Sequence, residues 1–101
     1  MANRIELQTK LEELLGSRNV YYKPPETLKL KYPAIEYSKA NIEDTYANNS
    51  VYSRKTKYTL VVIDTKPDNP VIYKLLDLPY CSYSANYKAD NLEHDVLTLY
   101  F

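Results

Sequence analysis

Residues 53–65 read Ser-Arg-Lys-Thr-Lys-Tyr-Thr-Leu-Val-Val-Ile-Asp-Thr. The stretch opens with polar and apolar residues interleaved and ends in the unbroken run Leu60-Val61-Val62-Ile63. It is too short for a membrane span and rich in β-branched residues, which predicts a strand over 53–65. A strand apolar on both faces needs neighbours at both edges and cover on both sides, or an interface. The rest of the chain has to supply that sheet and that cover.

Two stretches supply helices. Asn3 is a plausible N-cap with Glu6 as its capping-box partner. Leu7, Leu11, Leu14 and Leu15 then fall on one helical face, and Gly16 stands where a left-handed cap belongs. The reading is a helix over about 4–15 whose other face, with Glu6, Lys10, Glu12 and Glu13, is solvated. Further on, Asn69-Pro70 can start a second helix, Val71, Ile72, Leu75, Leu76 and Leu78 stripe it, and Pro79 stops it. Asp68 suits that helix's N-terminus, while Asp64 and Asp77 read as solvated.

The remaining segments are β-prone. Val20-Tyr21-Tyr22 is a short strand that Pro24-Pro25 must end. Over 33–42, Ile35 and Tyr37 share one face and Ala34, Glu36 and Ser38 the other. Residues 43–52, with tandem asparagines, read as a loop or hairpin tip. Over 80–90, Tyr80, Ser82 and Ser84 interleave with Tyr83, Ala85 and Tyr87. Asp90-Asn91 reads as a turn, and 94–101 as a closing strand. The expected fold is therefore α+β in the order α-β-β-β-α-β-β. It is one domain over 1–101, a mostly antiparallel mixed sheet with two helices packed on one face.

Composition narrows the function. Thirteen basic residues balance thirteen acidic ones, so no long-range field draws the chain to phosphate backbones or anionic membranes. One cysteine, Cys81, rules out an intramolecular disulfide and a cysteine-only zinc site, and a reducing compartment is the simplest reading. No apolar run approaches a membrane span, and Met1-Ala2-Asn3-Arg4-Ile5-Glu6 lacks a signal-peptide core, so a cytoplasmic origin is expected. One glycine argues against phosphate-cradling loops. Twelve tyrosines against one phenylalanine suit half-buried sheets and subunit interfaces.

The candidate motifs resolve mostly into scaffolding. Pro24-Pro25 falls short of a PxxP ligand and reads as a rigid connector. Lys23, Lys29 and Lys31 with Tyr21, Tyr22 and Tyr32 imitate a nucleic-acid strip. Leu28 and Leu30 alternate with those lysines, however, as on a half-buried edge segment, where lysine also blocks stray pairing. His94 and Asp95 are strand neighbours and point to opposite faces. Cys81 could meet His94 as a nucleophile pair, but no glycine nest accompanies them. No catalytic, cofactor or metal residues are assigned. Arg54, Lys55 and Lys57 can meet Glu43 and Asp44 if the hairpin closes, as cross-strand ion pairs. Alternatively the hairpin projects as an arm and its charges meet a neighbouring subunit. The polar tip with Tyr46 and Tyr52 favours the arm.

The chain resembles the tail terminator (tail completion, head-tail joining) proteins of long-tailed bacteriophages and related tail-like particles. The resemblance rests on "RIELQTKLEELLG", "NVYYKPPETLKLKYPAIEY", the hairpin "NIEDTYANNSVYSRKTKYTLVVID", the helix "PDNPVIYKLLDLP" and the closing "ADNLEHDVLTLYF". The spacing from "YPAIEY" to "LVVID" is its most specific part. It implies a virion protein of the tail or neck that forms a ring, usually hexameric. Such a ring caps the tail tube, ends its polymerisation and joins the tail to the head connector. Its partners would be other copies of itself, the tail tube protein and the connector or stopper protein, with DNA only passing through the lumen. The resemblance carries no catalytic residues. Interface candidates are Tyr21, Tyr22, Tyr32, Tyr46, Asn48, Asn49, Tyr52, Arg54, Lys55 and Lys57. The alternatives are a head-tail stopper or adaptor ring, or a small RNA- or DNA-binding α/β domain.

Overall fold

The chain folds, in a computed structural model, as α1 (Arg4–Leu15), β1 (Val20–Tyr22), β2 (Ala34–Ala47), β3 (Ser50–Asp64), α2 (Val71–Leu76), β4 (Cys81–Ala89) and β5 (Leu92–Tyr100). Residues 4–25, 28–47 and 50–101 are described, with backbone alone at 45, 47 and 51–53. The sequence order α-β-β-β-α-β-β is the one observed. The strands form one mixed sheet in the order β1-β2-β3-β5-β4. Only β1 and β2 run parallel; the other pairs are antiparallel.

Register explains the core. Ile35 lies opposite Val62, Tyr37 opposite Leu60, Leu60 opposite Leu97 and Tyr58 opposite Leu99. Side chains alternate across a strand, so all of these share one face. Leu7 and Leu11 of α1 and Val71, Ile72 and Leu75 of α2 pack into the same cluster. Both helices therefore cover one face, and β3 is the central strand, as the run Leu60–Ile63 requires.

Local chemistry sets the ends of these elements. Gly16 adopts φ +78° and its N–H bonds the Glu12 carbonyl at 2.9 Å, closing α1. The Asn3 cap lies outside the described residues. Before α2, the Asn69 side chain accepts the Val71 N–H at 2.9 Å. Asp64 does not simply face solvent: it accepts from the Asn69 amide at 2.7 Å and from the Thr65 N–H at 2.6 Å, tying the end of β3 to the start of α2. Asp90 and Asn91 take φ +52° and +62°, the paired left-handed conformation that joins two strands through a two-residue turn.

Four expectations need correction. Residues 43–52 are not a loop, because β2 and β3 stay paired from Ala34–Ile63 out to Ala47–Ser50. A polar stretch with no apolar period looks like coil in sequence, yet cross-strand pairing extends it as a ribbon. Residues 28–32, expected as a half-buried edge segment, do not line the sheet's edge. They return the chain from β1 to the cis Tyr32–Pro33 bond and share a cavity with Glu36, Ile63 and His94 on the face away from the helices. The closing strand begins at Leu92 rather than at 94. In β4 an irregularity between Tyr83 and Ala85 places Tyr83 on the helix side and Ala85 and Tyr87 on the other, so they do not form one set.

Candidate assembly surface

Pairing with β5 ends at Lys57–Tyr100. From there to Ser50, β3 and its partner β2 continue alone for seven residue steps, about 23 Å at strand rise. This ribbon stretches the molecule to 51 × 25 × 23 Å. Two-stranded ribbons are marginal in water by themselves, and here three kinds of contact hold one together.

Asp44 and Arg54 face each other across the ribbon in a two-pronged ion pair, Nε to Oδ1 at 2.6 Å and Nη2 to Oδ2 at 3.1 Å. Arg54 holds the Asp44 carboxyl below the ordinary carboxylate range, and Asp44 raises the guanidinium in return. Glu43 stands opposite Lys55, and its carboxylate accepts the Tyr100 hydroxyl at 3.2 Å. At the base, the Lys55 ammonium sits 3.8 Å over the Tyr80 ring, and the Phe101 N–H bonds the Thr56 carbonyl at 3.0 Å. Of the cross-strand ion pairs expected if the hairpin closes, the described residues form one, Asp44–Arg54; Lys55 and Glu43 turn instead to Tyr80 and Tyr100.

The ten interface candidates divide. Tyr46 is 65% exposed on the ribbon, with its hydroxyl 3.5 Å from Asp44. Arg54, Lys55 and Lys57 lie on the same ribbon, with Lys57 opposite Asn41 rather than an acidic residue. Asn48 and Asn49 lie outside the described residues, as does the side chain of Tyr52. Tyr22 belongs to the body: its ring meets Tyr37 edge-on at 5.0 Å and carries the Arg4 guanidinium at 4.7 Å. Tyr21 is half-buried beside Glu36, and Tyr32 is exposed at the cavity rim on the other face. Sequence reasoning missed Tyr80, Tyr100 and Phe101, which brace the ribbon. They lie at strand ends far from it in sequence, and only the β3–β5 register brings them there.

The body holds two polar clusters. Asp95, almost fully buried, accepts the Tyr83 hydroxyl at 2.6 Å and the Asn86 amide at 2.9 Å. That bond, with some desolvation, pushes the Tyr83 phenol up to about 12. The period-two series Asp95, Leu97, Leu99 could have flagged the burial. On the other face His94 stacks on Tyr87 at 4.7 Å, and its Nδ1 lies 3.0 Å from the Leu92 carbonyl. Cys81 sits opposite Leu99 on the helix side, so it does not meet His94. Burial pushes its thiol up, away from the reactive thiolate. Among the described residues, no three His, Cys, Asp or Glu side chains gather to hold a metal, and no helix is long and apolar enough to cross a membrane. An apolar cavity of about 480 Å³ opens beside the ribbon's base, between α1 and Tyr80, Leu99 and Phe101.

Fold and surface together define a small α+β protein whose sheet is helix-covered on one face and drawn out into a charged two-stranded arm. No known protein family and no curated protein matches the chain.

Proposed function

We propose that this chain is a ring-forming structural subunit of the tail-terminator kind, which caps the tail tube of a long-tailed phage or tail-like particle and meets the head connector. The observation that carries the reading is the arm. An exposed ribbon with an ion pair and no buried side chain among its described residues contributes little to a monomer's core, and such a segment is well suited to lie against a neighbouring subunit. Tyr46, Arg54, Lys55 and Lys57 are its contact residues. The tail-specific part of the reading rests on the sequence resemblance. Charge balance agrees with a lumen that lets DNA slide past without gripping phosphate.

Native mass measured alone and with tail tube protein, together with negative-stain imaging, tests the reading. The expected result is a closed ring, formed by the chain alone or on the end of a tube, and tubes of limited length. A strict monomer that neither caps tubes nor limits them overturns it.

A further inference from the structure

The sheet has two open edges, and they differ. β4 is an edge strand of nine residues, and Ser82–Lys88 are all exposed. It contains no proline and one lysine, Lys88, so the usual guards of an edge are thin. At the opposite edge β1 pairs only with Ile35–Tyr37, and Lys23 takes the Tyr37 carbonyl at 3.1 Å. Beyond it, residues 38–47 of β2 have no outer strand among the described residues. Each free stretch presents every second peptide group outward without a sheet partner.

We infer that β4 of one copy pairs antiparallel with the free outer edge of β2, residues 38–47, of the next copy, making one sheet continuous from subunit to subunit. This rests on the ring reading above and names the contact that closes the ring.

Direction follows from topology. Given the pairings, β2 and β5 run one way and β3 and β4 the other. A copy set head to tail with its helices on the same side therefore brings β2 antiparallel to β4. Length agrees: nine residues in β4 meet a stretch of about ten, as strand pairing requires.

Closure is also geometrically consistent. The middle of β4 lies level with Glu36, through Ala85, Val96 and Val61. The middle of the free β2 edge lies about six residues further along, an offset of roughly 20 Å. Five strands span about 24 Å. The two lengths set a strand tilt of about 40° to the ring axis, within the range of closed barrels. A second β4 is the competing occupant of this edge, and it would end assembly at a twofold dimer.

Amide hydrogen exchange on the full-length chain, dilute and at assembling concentration, tests the inference. Assembly is expected to slow exchange at 81–89 and 38–47 together, by about tenfold or more, with 20–22 unchanged. Ser84→Pro, placed at the irregularity where the β4–β5 ladder is already interrupted, is expected to weaken assembly about tenfold while far-UV dichroism stays unchanged. If that variant misfolds, the exchange pattern of the unaltered chain still decides. Protection at 81–89 alone, in a particle of twice the chain mass, overturns the inference in favour of the dimer. A ring with neither segment protected overturns it while leaving the ring reading intact. No assembly, with or without tube protein, overturns both.

Discussion

The same two strands, β2 and β3, build the body of the sheet and the arm that leaves it. In the body their inward residues, Ile35, Tyr37, Leu60 and Val62, are essentially inaccessible and packed under both helices. In the arm the same strands carry Glu43, Asp44, Arg54 and Lys55, and none of its described side chains is buried. The change comes within a few residues of the irregularity between Lys39 and Asn41 and where β5 ends. Apolar burial is the main favourable term in folding, so the body holds the stability. The arm carries instead one two-pronged ion pair, open backbone edges and the exposed Tyr46. Perturbing each half should reveal the division, with stability effects shrinking from body to arm.

The largest effect is expected for Leu60→Ala. Leu60 is fully buried between Tyr37 and Leu97, so truncation leaves a cavity and costs about 3 kcal/mol of unfolding free energy. Urea denaturation measures it. A loss below about 1 kcal/mol would mean that the central strand is not the keystone described. Tyr37→Phe should cost less, about 1 kcal/mol. It removes the hydroxyl that donates to Gln8 Oε1 at 2.5 Å and accepts from Arg4 at 3.5 Å, and leaves the ring packing.

High pH probes the body in another way. Burial holds the Tyr37 and Tyr58 phenols above their ordinary value of 10.0, with Arg4 opposing it at Tyr37. The bond to Asp95 holds Tyr83 up at about 12. Each folded-state value is raised, so the contribution is complete below pH 10 and disappears as pH rises through the folded values. Thermal unfolding should therefore show a midpoint that falls from about pH 10 towards 12, and Tyr37→Phe should flatten the fall. A midpoint indifferent to pH across that window would show that these hydroxyls are not sequestered.

This contrast also explains what the sequence discloses. The helices, the β3 core run and the Asp90-Asn91 turn are legible because burial imposes a period and turns demand particular residues. The arm was legible only as polar chain: with no buried face, nothing in "EDTYANNSVY" repeats with period two. The idea that it projects came from Tyr46 and Tyr52, while its strand character needed the register. The bracing residues and the open β4 edge were not legible, since both depend on which strands become neighbours. Tyr22 shows the same dependence on neighbours: its half-buried place beside Tyr37 and Arg4 follows from the fold and not from its residue type.

Deleting residues 46–51 tests the arm directly. The expected outcome is an unfolding midpoint close to that of the intact chain together with weakened assembly, read by native mass. Unfolding of the shortened chain would place the arm among the elements that hold the body together.

The smallest effect on stability is expected for Arg54→Ala. The ion pair with Asp44 has good two-pronged geometry but sits in solvent, where salt screens it and side-chain entropy opposes it. The unfolding midpoint should not move measurably. The pair should nevertheless be visible at Asp44 itself. Its folded-state carboxyl lies below the unfolded value, so whatever the pair contributes is present above that value and disappears as acid titrates the folded carboxyl. Carboxyl NMR titration should therefore show Asp44 rising towards the ordinary range in Arg54→Ala. If Arg54→Ala leaves the Asp44 titration unchanged, the ribbon is held by its backbone ladder and by Tyr80, Tyr100 and Phe101 at its base.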